Sequence, residues 1–425
     1  MKSNTFRNII FYTLGTIFIF FPIVKGGVEV WVTTLGEAII ITLVFLWLWR
    51  VNNSSLGENK LIRTKIDLPL GLFVILAIIS AIFSIYKYAS ILEMLRLLTM
   101  VGVFYLVINN FNQRLDSKLT FLIIAIGTGL SLFGLGQYFL GLDHSWWKPE
   151  NFLAATYVNH NHFAGYLELA IPLAIGVLVY ARKSSSLSIF RAATLKTFLE
   201  ISILVMILAF VFSQSRAGWV CLTISLLIMN IALVRKNILS KSTVLIFLFV
   251  IVLAVAYIYA GNDMVTKRFR TFEKIGTVGF IDGRAQIWQG TIDMIKDRPL
   301  TGTGIGTFVW GFPAYRPASL AGQRAHYAHN EYLHMASEMG ILAIPLMIWM
   351  AWVVIGSGFK WKDKKIQRDE KFSLREGIVL GSAIGILSLT LHGLVDFNFH
   401  IPANMLVVSA LAGIIMRKSK ENTYV

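Results

Sequence analysis

The feature that most constrains this chain is a succession of about twelve apolar blocks, each roughly 17–24 residues long. A helix of about 20 apolar residues crosses a ~30 Å hydrocarbon core. The blocks run over 7–24, 30–49, 68–85, 90–109, 119–141, 163–181, 197–213, 217–234, 243–260, 331–355, 375–394 and 401–416. In lipid the backbone has to satisfy its own polar groups, so the pattern predicts an all-α membrane protein with about 12 transmembrane helices. Composition agrees: 56% of residues are hydrophobic and 15% charged, against roughly 45–50% and 25% in soluble domains. A soluble enzyme, a disordered chain and a collagen-like chain are excluded. The first block is too long, and too closely followed by the second, for a cleaved signal peptide, and no small-residue cleavage site follows Phe20–Phe21–Pro22. Cys221 stands alone inside an apolar block, which rules out a disulfide scaffold and a cysteine-based zinc site.

Lysine and arginine set the orientation. With the N-terminus inside, 25 of the 39 fall on inner segments, 13 on outer segments, and Arg96 within a span. That asymmetry predicts cytoplasmic termini. It also accounts for most of the net charge of +16, so no nucleic-acid partner is expected. The chain then divides into transmembrane helices 1–9 over 1–261, one large outer loop containing short helices over 262–330, and helices 10–12 with a cytoplasmic tail over 331–425.

The outer loop is basic, with nine Lys and Arg against five Asp and Glu. An anionic ligand on the outer face is one reason for that charge; a merely solvated basic loop is the other. Within it, Arg284–Lys296 places Ile287, Trp288, Thr291, Ile292 and Ile295 on one helical face, the pattern of a helix lying in the membrane interface. Gly302, Gly304 and Gly306 follow, without the strand–helix context of a nucleotide site. They fit a loop packed tightly against a helix.

Polar residues gather at the outer ends of the spans, where ionisable groups are functional candidates. His160 and His162 open the sixth span, with Glu168 further along. Two residues apart on a helix, the histidines diverge, which argues against a shared metal. Arg216 sits in the short turn Ser213–Gly218, where its planar fork suits phosphate and its length equally suits snorkelling to headgroups. Where the long loop meets the tenth span, Asn330, His334 and Glu338 share a stripe and His329 stands at its mouth. The last outer turn holds His392, Asp396 and His400. His392 reads as a satisfied bundle histidine; Asp396 needs a partner, with His400, Arg216 or another loop arginine as the choices.

These residues resemble the bacterial O-antigen ligase and polymerase superfamily of integral membrane glycosyltransferases. The most specific match is His329–Asn330 followed after nine residues by Gly340; the family's second glycine, three residues on, is Ala343 here. Asn159–Tyr166, Ser215–Gly218, Gly283–Trp288, Pro299–Phe308 and His392–His400 also look like that family. The resemblance spans about 150–405, while the first 140 residues match only in hydropathy. It implies a GT-C-type bundle in the bacterial inner membrane with its active site facing the periplasm. It implies a glycan donor on undecaprenyl pyrophosphate and no cofactor. It carries pyrophosphate binding to Arg216 and Arg284 and catalysis to His329 and Asp396. Asn330, His162, His160, His400 and Glu338 are expected to support them. Fixed arginines can stabilise the leaving pyrophosphate without a metal, and His329 can take the acceptor's proton, with inversion at the anomeric carbon. The expected reaction is ligation to a lipid A–core acceptor. Polymerisation of lipid-linked repeats, where a growing glycan is the acceptor, is the alternative; protein O-glycosylation and a lipid-glycan flippase stand further off.

The orientation is open to direct test. A cysteine at position 321, made as Ala321→Cys, is expected to react with a membrane-impermeant thiol reagent added outside; labelling only after permeabilisation would overturn it.

Overall fold

A computed structural model describes residues 3–53, 61–141, 152–183, 188–245, 282–320, 322, 324–360 and 372–418. Among them, helices start where the sequence offers a cap and continue while it stays apolar. The spans are α1 (Ser3–Ile23), α2 (Val30–Asn52), α3 (Asp67–Ile82), α4 (Lys87–Asn110), α5 (Gln113–Leu140), α6 (His160–Lys183), α7 (Ile189–Phe212) and α8 (Arg216–Arg235). Then come α9 (Asp282–Asp297), the single turn α10 (Phe308–Gly311), α11 (Glu331–Met339), α12 (Ala343–Gly358), α13 (Leu374–His392) and α14 (Pro402–Lys418). Asn112, Ser188, Ser215 and Ser373 each accept a backbone N–H at a helix start, which satisfies donors that have no partner within the helix. Eight of the described helices are long and apolar enough to cross a membrane, and α3, α12 and α14 are shorter apolar helices. The chain is an all-α, multi-pass membrane protein. The ninth expected span, 243–260, lies outside the described residues apart from its first turn.

Two helices form the axis of the bundle. α6 is buried on nearly every face, packed between α5, α7, α8 and α13. Its contact with α13 is backbone on backbone. A Cβ on Gly377 would meet the Gly176 carbonyl, one on Gly381 would lie 2.6 Å from Pro172 O, and one on Gly385 2.9 Å from Leu169 Cα. Glycine every fourth residue is what lets membrane helices approach this closely. Outside this axis, Phe45, Trp49, Phe190, Leu204 and Trp352 project outward, each more than half exposed, as a lipid-facing belt would. At the opposite end from α6's histidines, buried Asp116 of α5 pairs with Arg417 of α14.

Two expectations are corrected. The tenth span, 331–355, is not one helix. Gly340 adopts φ +89°, and a side chain there would strike the Leu300 carbonyl. Ile341 N–H donates to Pro299 O at 2.8 Å, so the chain breaks into α11 and α12. Ala343, where the family pattern has glycine, is fully buried, so its methyl is accommodated. Nor does α9 turn its apolar face to a membrane surface. Thr291 and Met294 are fully buried against Phe308, Phe312, Leu320 and Ala328, and Trp288 Nε1 donates to Ala328 O at 2.9 Å. A small core beneath the loop captures that face. The three glycines do pack on a helix: Thr303 N–H donates to Ser337 O and Gly304 N–H to Glu338 O.

The α6–α13 contact predicts a sharp position dependence. Gly381→Leu inserts a side chain between two backbones, an overpacking cost of typically ~1–3 kcal/mol or more. Gly356→Leu, where an added Cβ meets nothing within 4 Å, is expected to be neutral. Thermal stability in detergent, read side by side, checks the difference.

Candidate active site

Five segments converge at the end of the bundle where α6 begins. The residue at their centre is Asp396, in the turn after α13 and 1% exposed. Its backbone N–H donates to His392 O at 3.1 Å, and its Oδ1 accepts from Phe397 N–H at 2.8 Å. Three side chains face the carboxylate. His162 Nε2 and His329 Nδ1 each lie 3.8 Å from Oδ1, and Arg284 lies 3.5 Å from Oδ2. At 3.8 Å the histidine contacts are electrostatic rather than hydrogen bonds. Burial works to raise the Asp396 pKa, but the His162 and His329 imidazoles outweigh it and hold the carboxyl well below its usual range. It is a fixed anion.

Phe397 sets the ring geometry. His162 and His329 both meet it edge-on, with centroids 4.6 and 4.9 Å away. Tyr327 stacks on it at 4.1 Å with an interplanar angle of 14°. Two histidines from distant segments thus abut one aromatic ring beside one carboxylate.

His329 has a left-handed backbone, φ +50°, unusual for a side chain of this size. Its neighbours impose it. Ala328 O takes the Trp288 hydrogen bond, and Ala328 N–H donates to His334 Nδ1. Asn330 caps α11 by accepting from Tyr332 and Leu333 N–H, and its amide donates to Leu394 O at 2.8 Å. Asn330 is therefore an architectural latch for the histidine before it.

His160 and Arg216 belong to an adjoining turn. His160 Nδ1 donates to Ser213 O at 2.7 Å, and its ring stacks on Phe152. Gln214 has φ +55°, and Ser215 caps α8, whose first residue is Arg216. His160 thus ties the start of α6 to the turn that presents Arg216. Gly218 follows because a Cβ there would lie 3.0 Å from Glu168 Oε1.

Two expected supporting residues are engaged elsewhere. Glu338 accepts from Gly306 and Phe308 N–H, each at 2.7 Å, and from its own face meets His334 at 3.4 Å; it fastens the glycine loop. His400 is not the partner of Asp396. It lies 2.8 Å from Glu331, whose other oxygen accepts from Phe399 N–H. The loop arginine that does reach Asp396 is Arg284. His392 is a buried bundle histidine whose Nδ1 lies 2.6 Å from Glu168, and Ser388 donates to the same carboxylate. Residue pattern alone assigns no role to Glu331, Tyr327 or Phe397. A carboxylate directly after a helix-capping asparagine, among histidines, was the available signal for Glu331.

The O-antigen ligase family model matches residues 201–348. Over that stretch the chain is similar to the O-antigen ligase family. The matched stretch holds Arg216, Arg284 and His329; Asp396 and His162 come from outside it and complete the same cluster. No curated protein matches the chain.

The Glu331–His400 pair carries a pH prediction. Burial disfavours the charged imidazole, but the Glu331 carboxylate outweighs it and raises the His400 pKa from 6.5 to about 9. The native state binds the proton more tightly than the unfolded chain. The pair's contribution is therefore complete below about pH 6.5 and lost as pH rises through about 9. The wild type is expected to lose stability over that window, and His400→Gln to flatten the loss; equal slopes in thermal unfolding against pH would contradict the assignment.

Proposed function

We propose that this chain is an inverting, metal-independent O-antigen ligase that moves a glycan from undecaprenyl pyrophosphate to a hydroxyl of a lipid A–core acceptor. The observation that carries this reading is the convergence of His329, His162 and Arg284 on the buried Asp396 carboxylate, at the helix end where Arg216 opens α8. His329 and Arg284 are about a third exposed, at 30% and 36% of their side chains, so a substrate can touch them. Asp396 is sealed behind them. Its role is to hold His329 with Nδ1 protonated and Nε2 free, the logic by which a carboxylate orients a catalytic histidine.

The acceptor hydroxyl attacks the anomeric carbon from the face opposite the carrier. A C–O bond forms there as the C1–O bond to pyrophosphate breaks, and the hydroxyl proton passes to His329 Nε2. Negative charge grows on the leaving pyrophosphate. Arg216 and Arg284 meet it with planar donor forks, and fixed donors aimed at developing charge lower the barrier. Attack opposite the leaving group inverts the anomeric centre.

A cavity of about 250 Å³ supports a lipid-linked donor. Met100, Met335, Met347, Met350 and Met405 line it, together with Glu93, Arg96, Glu331 and His400. Methionine adapts to irregular chains. His400 packs on Tyr327, and through it on Phe397, so an isoprenoid chain in the cavity would lie beside the cluster. The reading places the protein in the bacterial inner membrane, with both termini cytoplasmic, and the cluster and the 262–330 segment in the periplasm.

His329→Ala is expected to lower transfer by ~10²–10⁴ while donor binding persists. Arg216→Lys keeps the charge but loses the fork, and is expected to weaken donor binding. Donor affinity and turnover on each purified, folded variant are the measurements. Normal turnover in His329→Ala removes the base assignment, and an unimpaired Arg216→Lys returns that residue to lipid headgroups. Given both acceptors, the wild type is expected to use lipid A–core; transfer to lipid-linked glycan alone would make it a polymerase.

A further inference from the structure

A second cavity, of about 520 Å³, lies between α1, α5 and the segment leading into α6. Its long wall is one face of α5. Ile126, Gly129, Leu130, Phe133 and Gln137 recur at helical spacing, so the groove runs about 16 Å along the helix at 1.5 Å per residue. The wall is apolar until its end. There Gln137 is 2% exposed, and among the described residues neither its amide oxygen nor its nitrogen has a hydrogen-bond partner. A buried amide left with both ends unsatisfied is costly to a fold. A hydroxyl, which both donates and accepts, would satisfy it.

The rim beside Gln137 is polar but nearly neutral. Lys25 donates to Glu29 at 2.5 Å, and the Thr156 hydroxyl donates to Pro22 O, keeping its lone pairs available. A balanced Lys–Glu pair with an amide and a hydroxyl suits sugar hydroxyls better than a charged headgroup. The segment that lines the groove runs on into the site. Ala155, Thr156 and Val158 line it, Asn159 follows, and His160 and His162 open α6 toward Ser213 and Asp396.

We infer that this groove seats one hydrocarbon chain of the lipid-linked acceptor, with a hydroxyl of its sugar head on Gln137. The inference rests on the glycan-transfer reading and adds a place for the acceptor apart from the methionine-lined cavity. Gly129 lines the groove and is itself exposed. An added Cβ there meets nothing within 4 Å, so a larger side chain fills the groove without disturbing the helix.

The test uses purified full-length protein in phospholipid nanodiscs and a dodecyl glucoside carrying a mid-chain diazirine. Irradiation is expected to label peptides covering 126–137 and 155–158. Gly129→Phe should abolish that labelling, and Gly356→Phe, at an equally open glycine outside the groove, should leave it intact. Gln137→Leu removes the orphaned amide, so its thermal stability is expected to hold or rise while probe affinity falls about tenfold, the worth of a hydrogen bond. A Gln137→Leu variant that loses stability instead assigns the amide to the fold and overturns the inference. So does labelling elsewhere, labelling that survives Gly129→Phe, or equal competition by a lysophospholipid of the same chain length. In turnover assays Gly129→Phe is expected to raise acceptor KM well above any change in donor KM. Labelling lost with acceptor KM unmoved makes the groove a lipid site unrelated to the acceptor. A wild type that is labelled but transfers no glycan refutes the transfer reading and the acceptor's identity with it, while the amphiphile site stands.

Discussion

The backbone contact between α6 and α13 is the constraint on which the rest depends. Gly377, Gly381 and Gly385 bring the two helices together without side chains between them. Only at the site end do polar groups enter the interface: Glu168 from α6 meets His392 and Ser388 from α13, all fully buried. An anion so placed demands good geometry and satisfied lone pairs, and both its oxygens are engaged. The His392 carbonyl then takes the Asp396 N–H. The register of one helix pair thereby fixes the height at which the Asp396 carboxylate stands relative to His162.

That carboxylate gathers an arginine and two imidazoles around it. Asp396 is sealed, whereas Arg284 and His329 reach the surface. A buried anion keeps an arginine in place with no ligand present, sparing it the entropy of being ordered when one arrives. The same anion lies 3.8 Å from both His329 Nδ1 and His162 Nε2, so one group in a low-dielectric setting gathers three side chains.

Most spans were legible because lipid imposes a simple rule on sequence, apolar residues over a fixed length. The rule fails where protein replaces lipid. The 331–355 block is apolar throughout, yet Gly340 divides it because the Pro299–Leu300 carbonyls approach its backbone. Hydropathy cannot register a contact made by a neighbouring segment. For the same reason the amphipathic α9 looked membrane-bound, when its partner is a small core built from residues 308–328. At the site, His329, His162 and Asp396 stand out by their position at span ends and Arg284 by the resemblance alone. Their pairing does not. His400 lies four residues from Asp396 in sequence, yet from the 3₁₀ turn Asn398–His400 it pairs with Glu331 at 2.8 Å instead.

The backbone of His329 shows how local strain serves this arrangement. Asn330 has to cap α11 and reach Leu394 at once, and Ala328 is held by Trp288 and His334. Between two such anchors the chain turns through one left-handed residue. Glycine would adopt that conformation freely, whereas a non-glycine residue there costs ~1–3 kcal/mol. The fold bears this cost at the one position whose imidazole faces Asp396 on one side and solvent on the other. It spreads the restraint over the indole of α9, the cap of α11 and the turn after α13. Three elements distant in sequence are thus committed to the conformation of a single histidine, and none of their hydrogen bonds uses its side chain. The imidazole itself stays partly exposed, with Nδ1 turned toward Asp396.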